Sequence, residues 1–230
     1  MTDTTEPSAS VRAFYEQFRV LLDAEDQEAC VLFALARLDA GELDIVELYE
    51  HVLAPAAREQ YCSRRGRQLC IWEEHVRTSI IRAVLECCYP HLMKARRLRS
   101  GDSSMGRVVV VCPTEEYHEL GARMAADLFT LCGFDVTFVG ANTPQQEIVE
   151  AAALLHPAYV GVSVTNPYNL LAARRLVQHL REVRSRTGGN FQIIVGGSAF
   201  EHSPHLAGEL GADRLLRGYD DIHRLSGGAR

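Results

Sequence analysis

The sequence predicts an all-α region followed by an α/β domain: an N-terminal four-helix bundle, then a doubly wound, flavodoxin- or Rossmann-like sheet of five parallel strands. Three observations predict it. Over about the first hundred residues, apolar side chains recur at intervals of three and four, the period of amphipathic helices. After that, short β-branched runs alternate with helical patterns five times. Between the two lies "SGDSSMG", small, polar and glycine-containing, the best linker in the chain. The expected boundaries are a helical cap over residues 8–99, a linker over 100–107 and an α/β domain over 108–230.

In "SVRAFYEQFRVLLDAED", Val11, Phe14, Phe18, Leu21 and Leu22 form one stripe, and Ser8 or Ser10 is placed to cap the helix. "QEACVLFALARLDAGE" repeats the pattern and stops at Gly41. "ELDIVELYEHVLAPAAREQY" is a third helical stretch, with Pro55 marking a kink or break. The fourth is "LCIWEEHVRTSIIRAVLECCYPHLMKARRLR", with Trp72, Val76, Ile80 and Val84 on one stripe. Short connections between the four suggest an antiparallel bundle. The strands expected after the linker are "RVVVVC", "DVTFVG", "AYVGVSV", "FQIIVGG" and "DRLLRG". The first is continuously apolar, as befits a strand buried on both faces.

The chain has 230 residues, 47% hydrophobic and 23% charged, an ordinary globular balance. A net charge of -6 argues against direct nucleic-acid binding. No apolar run reaches the roughly 20 residues that span a bilayer, and the polar start lacks the features of a signal peptide. Seven cysteines without a CxxC pair argue against a disulfide framework or structural zinc, and point to the cytoplasm. "KARRLRSG", from Lys94 to Gly101, reads as a solvated basic helix end.

In an open parallel sheet, ligands bind beyond the carboxyl ends of the strands. Three loops there stand out. "PTEEYHELG" follows the first strand, "SVTNP" the third with Ser163 and Thr165, and "GGSAF" the fourth with Gly196 and Gly197. None is a phosphate-binding fingerprint, so a nucleotide cofactor is unsupported. Cys112 at the end of the first strand reads as a buried core cysteine rather than a nucleophile.

Together these residues resemble the cobalamin-binding family. Its α/β domain carries DxHxxG or ExHxxG after the first strand, SxT or SxL after the third and GG after the fourth. Here they stand as Glu116-Tyr117-His118-Glu119-Leu120-Gly121, Ser163-Val164-Thr165 and Gly196-Gly197. "GANTP", residues 140–144, is similar to the family's loop after strand two. "LDAGELDIVELYEHVLAPAARE" and Glu73-Glu74-His75 resemble the family's helical cap.

The resemblance implies a bound cobalamin, adenosylcobalamin or another form, with His118 as the lower axial cobalt ligand and Glu116 fixing its tautomer. Gly121 would let the helix lie close to the macrocycle or its displaced tail. Ser163 and Thr165 would hydrogen-bond the cofactor's tail, and Gly196 and Gly197 would leave it room. Trp72, Glu74 and His75 would face the upper side, with Phe14, Phe18 and Tyr61 as weaker candidates. Glu74 and His75 are expected to be polar groups in the middle of an apolar helix.

The ExHELG form is similar to the light-sensing CarH-type photoreceptors, whereas methyl-carrying corrinoid proteins more often show DxHDIGKN. This implies a sensor that signals to a partner regulatory protein or through a homo-oligomer, with a bilin as a possible second chromophore. A corrinoid carrier of a methyltransferase system is the alternative. Photoreceptor caps carry a Trp ten residues before the Glu of the EH pair, often followed by a His. Here those positions hold Arg64 and Arg65.

Overall fold

A computed structural model of the chain describes residues 7–59, 61–62, 67–68, 71–101 and 104–227. It divides into two compact units, Met1–Ala95 and Arg96–Arg230. The long fourth helix runs through Ser100, past the division between them.

The first unit is helical. α1 (Ala9–Asp23) starts on Ser8, whose side chain accepts the Val11 N–H, so Ser8 rather than Ser10 is the cap. α2 (Gln27–Asp39) is capped by Asp26. α3 (Ile45–Glu47) opens with a full capping box between Asp44 and Glu47. It passes into a π-helical turn (Leu48–Leu53) and emerges as α4 (Ala54–Arg58). Pro55 lies in the first turn of α4, and the wider π turn before it absorbs the missing proline N–H without breaking the rod. A short antiparallel pair, β1 (Tyr61–Cys62) and β2 (Arg67–Gln68), follows, which the sequence did not announce. α5 (Ile71–Ser100) completes the unit.

Phe18, Leu22, Leu48, Tyr49, Ile81, Val84 and Leu85 are at the centre of its core. The expected stripe on α5 holds at Ile80 and Val84, but Trp72 at the start of the helix is 54% exposed. On α5 Glu73 and Arg77 are buried, while Glu74 and His75 face outward in the first turns. Arg77 donates to the buried Asp23 (2.5 Å) and to the partly buried Glu59 (3.4 Å).

The second unit carries the sheet. Its strands are β3 (Arg107–Val111), β4 (Asp135–Gly140), β5 (Tyr159–Ser163), β6 (Gln192–Gly196) and β7 (Arg214–Leu216). All are parallel, in the order β4-β3-β5-β6-β7. The helices between them are α6 (Leu120–Leu131), α7 (Gln145–Leu155), α8 (Leu170–Thr187) and α9 (Leu206–Leu210), with α10 (Tyr219–Leu225) at the end. Val109, Val111, Val160, Val162, Ile193 and Val195 pack with α7 and α8 residues such as Ile148, Leu176 and Leu180 into one apolar layer. Strand order reverses beside β3, so the loops after β3 and β5 diverge and leave a crevice at their carboxyl ends.

Candidate functional site

The crevice is filled from the β3 side by residues 112–119. The Cys112 N–H continues the ladder to the Gly140 carbonyl (2.9 Å), and the chain then turns over the sheet edge before α6 begins at Leu120. His118 is therefore a loop residue, not part of the helix.

Glu116 is the fixed point of this loop. Its carboxylate is fully buried, yet it takes four N–H donors. Oε1 accepts from the His118 backbone (3.0 Å) and from His118 Nδ1 (2.7 Å). Oε2 accepts from the backbones of Thr165 and Asn166, both at 2.9 Å. Burial pushes its pKa up, but the hydrogen bonds from the His118 ring and from the Asn166 and His118 backbones outweigh burial and bring it down to about 2. An ionised carboxylate only accepts, so Nδ1 must carry the proton and Nε2 is the ring nitrogen with a lone pair to give. The imidazole is half-exposed. A buried acid thus orients an accessible base.

The β5 loop is held from the other side. The Val164 N–H donates to the Gly196 carbonyl (2.9 Å), and Ser198 Oγ donates to the Thr165 carbonyl (3.2 Å). Gly197 has φ +105°, and a Cβ there would collide with the Val164 carbonyl. At Gly196 a Cβ would come within 3.0 Å of the Leu216 carbonyl. The glycine pair lets three strand ends close on one another. Ser163 ends β5 half-buried, opposite Gly196 in the ladder. Gly121, in the first turn of α6, has open space where a Cβ would be.

Glu116, His118 and Thr165 therefore meet at the strand-order reversal, with Ser163, Gly196 and Gly197 on the adjoining strand ends. Trp72, Glu74 and His75 belong to the first unit. Arg64 and Arg65, and the side chain of Tyr61, lie outside the described residues. Cys112 is buried, and burial pushes its thiol up to about 12, which leaves it protonated and unreactive near neutrality. Among the described residues no group of three or more His, Cys, Asp or Glu side chains is arranged to hold a metal ion. A metal taken by one oriented imidazole has to bring most of its donors with it, as a corrin-bound cobalt does. The donor set and the open space at Gly121 fit such a group. A cavity of about 510 Å³ lies at the opposite edge of the sheet, between Arg107, His156, Tyr159 and Gln192. The topology and the oriented histidine select the carboxyl edge instead.

Sequence reading missed several members of this site. Glu119 accepts the Ala141 N–H (2.9 Å) and ties the loop to the end of β4. Asn142 and Asn169 hydrogen-bond the backbone of Glu115 from two different loops. No local pattern marks contacts made across such distances in the chain.

A model of the B12 binding domain matches residues 106–223. The HTH-type transcriptional repressor CarH of Myxococcus xanthus is 28% identical over 213 residues, covering 93% of this chain and 63% of the repressor. Trimethylamine corrinoid protein 1 of Methanosarcina mazei is 25% identical over 190 residues, covering 82% and 83% of the two chains. The structure of the Methanosarcina barkeri monomethylamine corrinoid protein superposes with a TM-score of 0.76 at 15% identity, covering 94% of this chain and 97% of that one. That likeness shows the fold: a helical region followed by a five-stranded α/β domain. No described helix is long and apolar enough to cross a membrane.

Proposed function

The chain belongs to the B12 binding domain family, and we propose that this cobalamin-binding protein is a sensor that holds cobalt from below through His118 and signals a change at the cofactor to a protein partner. The observation that carries the ligand reading is the Glu116–His118 pair, a buried carboxylate on Nδ1 of an accessible imidazole. Bound cobalamin supplies a cobalt–carbon bond that light can break or a methyl group can occupy.

The chain's own residues do the rest. Glu116 keeps the proton on Nδ1 and the ring facing one way, which raises the basicity of Nε2. Thr165 and Asn166 fix Glu116 through their backbones, and with it the orientation of the ring. Ser163 and Thr165 offer hydroxyls to the polar end of the cofactor's tail, and Gly121 leaves room beside α6.

The sensor reading rests on the similarity to the CarH repressor, which runs through both the helical and the α/β units. It also rests on Glu116, where methyl carriers more often have Asp. The chain spans 63% of that repressor's length. Repression is a property of the repressor, and the output here is assigned to a partner protein or a change in self-association. The carrier reading is favoured by a different observation: the trimethylamine corrinoid protein is matched along 83% of its own length.

One experiment separates the two. Protein loaded with adenosylcobalamin in the dark is examined by absorption and size-exclusion chromatography before and after green light. A light-driven change in both supports the photoreceptor, and an unchanged profile sinks it. Methylcobalamin-loaded protein that passes its methyl group to an added methyltransferase, while staying blind to light, establishes the carrier. The same spectra would reveal a bilin, which absorbs at longer wavelength than the corrin.

A further inference from the structure

The loop that presents His118 contains an unfavourable backbone, and the residue that holds it lies on a different loop. Glu115 has φ +69° and Asn142 has φ +47°, both left-handed. For Glu this conformation is unfavourable, whereas Asn tolerates the region well. Strain of this kind persists only where the surroundings over-determine it.

Here they do. The Glu115 N–H donates to Asn142 Oδ1 (2.9 Å), and its carbonyl accepts from Asn169 Nδ2 (3.2 Å). The Asn142 N–H donates to the Glu116 carbonyl (2.8 Å). Both peptide groups of Glu115 are therefore gripped, and the residue after it is the buried acid that orients His118. If Glu115 relaxes to an ordinary conformation, the Glu116 side chain is aimed elsewhere, and its four donors cannot all be kept.

Asn169 is buried, and its loss would disturb packing as well. Asn142 is exposed, so it can be replaced without leaving a core cavity. We propose that Asn142 is a positioning residue for the cobalt ligand: its side-chain oxygen keeps Glu115 left-handed, and through it keeps the Glu116–His118 pair aligned. This rests on the reading of His118 as the lower ligand.

Two variants isolate the side-chain oxygen. Asn142→Gly keeps the left-handed backbone and its N–H to Glu116 but removes the acceptor. Asn142→Asp keeps the acceptor and tolerates the conformation. Protein labelled with ¹⁵N-histidine is loaded with cob(II)alamin, and the nitrogen splitting is read by electron paramagnetic resonance. A labelled histidine on cobalt splits each line into a doublet, and the cofactor's own unlabelled base splits it into a triplet.

The native protein and Asn142→Asp should show the doublet. Asn142→Gly should show a mixture, with the balance moved roughly tenfold toward the triplet, the usual scale for losing an outer-shell partner. A full doublet in Asn142→Gly overturns the inference and leaves His118 as the ligand. Lower melting temperatures in both variants without a change in the doublet would mean a purely structural role, and also overturn it. A triplet in the native protein removes His118 as ligand and the inference with it.

Discussion

Glu116 Oε1 stands 2.7 Å from His118 Nδ1, and the same carboxylate bridges to the backbone of Thr165 and Asn166 beyond β5. One side chain thus joins two loops and sets the tautomer of the exposed ring. Glu116→Gln keeps the size but turns an amide NH₂ toward N–H donors, leaving at least one of them unsatisfied in a buried place. We expect a loss of about 1–3 kcal/mol in chemical denaturation. Cobalamin affinity should fall about 10–100-fold in an absorbance titration. His118→Ala should leave the denaturation midpoint nearly unchanged but alter the visible spectrum of bound cobalamin. An unaltered spectrum removes His118 as the ligand.

The glycines of the site separate into two kinds. Gly197→Ala puts a methyl group into the Val164 carbonyl at a positive φ, so it should destabilise the fold by about 2 kcal/mol or more, seen as a lower denaturation midpoint. Gly121→Ala meets nothing within 4 Å, and a helical Gly→Ala change is favourable by up to about 1 kcal/mol. Its effect should appear on ligand: a midpoint kept or raised, with weaker cobalamin binding. Undiminished binding by Gly121→Ala would mean that this face of α6 does not approach the cofactor.

Much of this architecture is legible in the sequence, for physical reasons. Runs such as Val108–Val111 are apolar throughout because a parallel strand inside the sheet has both of its faces covered. The helical period of α1 is clear because only one face of it is buried. Elsewhere the signal is too fine. Glu73, Glu74 and His75 are consecutive, and successive helix positions differ by about 100° in direction. Composition could not show that Glu73 points inward and the other two outward. The π turn before Pro55 leaves no compositional trace. Asn142 and Asn169 act across 27 and 54 residues of chain, so only the folded loops reveal them.

The outer part of the sheet depends on Asp213. Its carboxylate accepts from Arg184 Nη1 (2.5 Å) and Nη2 (3.3 Å) and from the Ile193 N–H (2.7 Å), tying α8 and β6 to the start of β7. Burial raises its pKa, but the Arg184 and Ile193 hydrogen bonds prevail and the pKa is lowered. A folded-state pKa below the unfolded value gives stability that is complete above the unfolded value and is lost as pH falls through the folded one. Asp213→Asn should therefore be less stable than the native protein at pH 7. The gap in denaturation free energy should narrow as pH drops below about 4, where the unfolded Asp takes up its proton. A gap independent of pH would mean that the charge on Asp213 contributes nothing.

The helical unit contains a buried ion pair between Arg77 and Asp23. Arg77 is 5% exposed and donates to Asp23 and Glu59, two acids that would otherwise face each other's charge with little water to screen it. Arg77 Nε is buried and has no hydrogen-bond partner among the described residues. Removing the cation alone should be expensive, because the buried Asp23 loses its ion pair with Arg77. Arg77→Met should cost about 3–5 kcal/mol. Replacing Asp23 as well, in Arg77→Met with Asp23→Leu, removes the buried acid along with its cation and should recover most of that loss. A double variant no more stable than the single one would show that the cluster contributes through packing rather than charge. Thermal melts of the three proteins at pH 7 decide between the two.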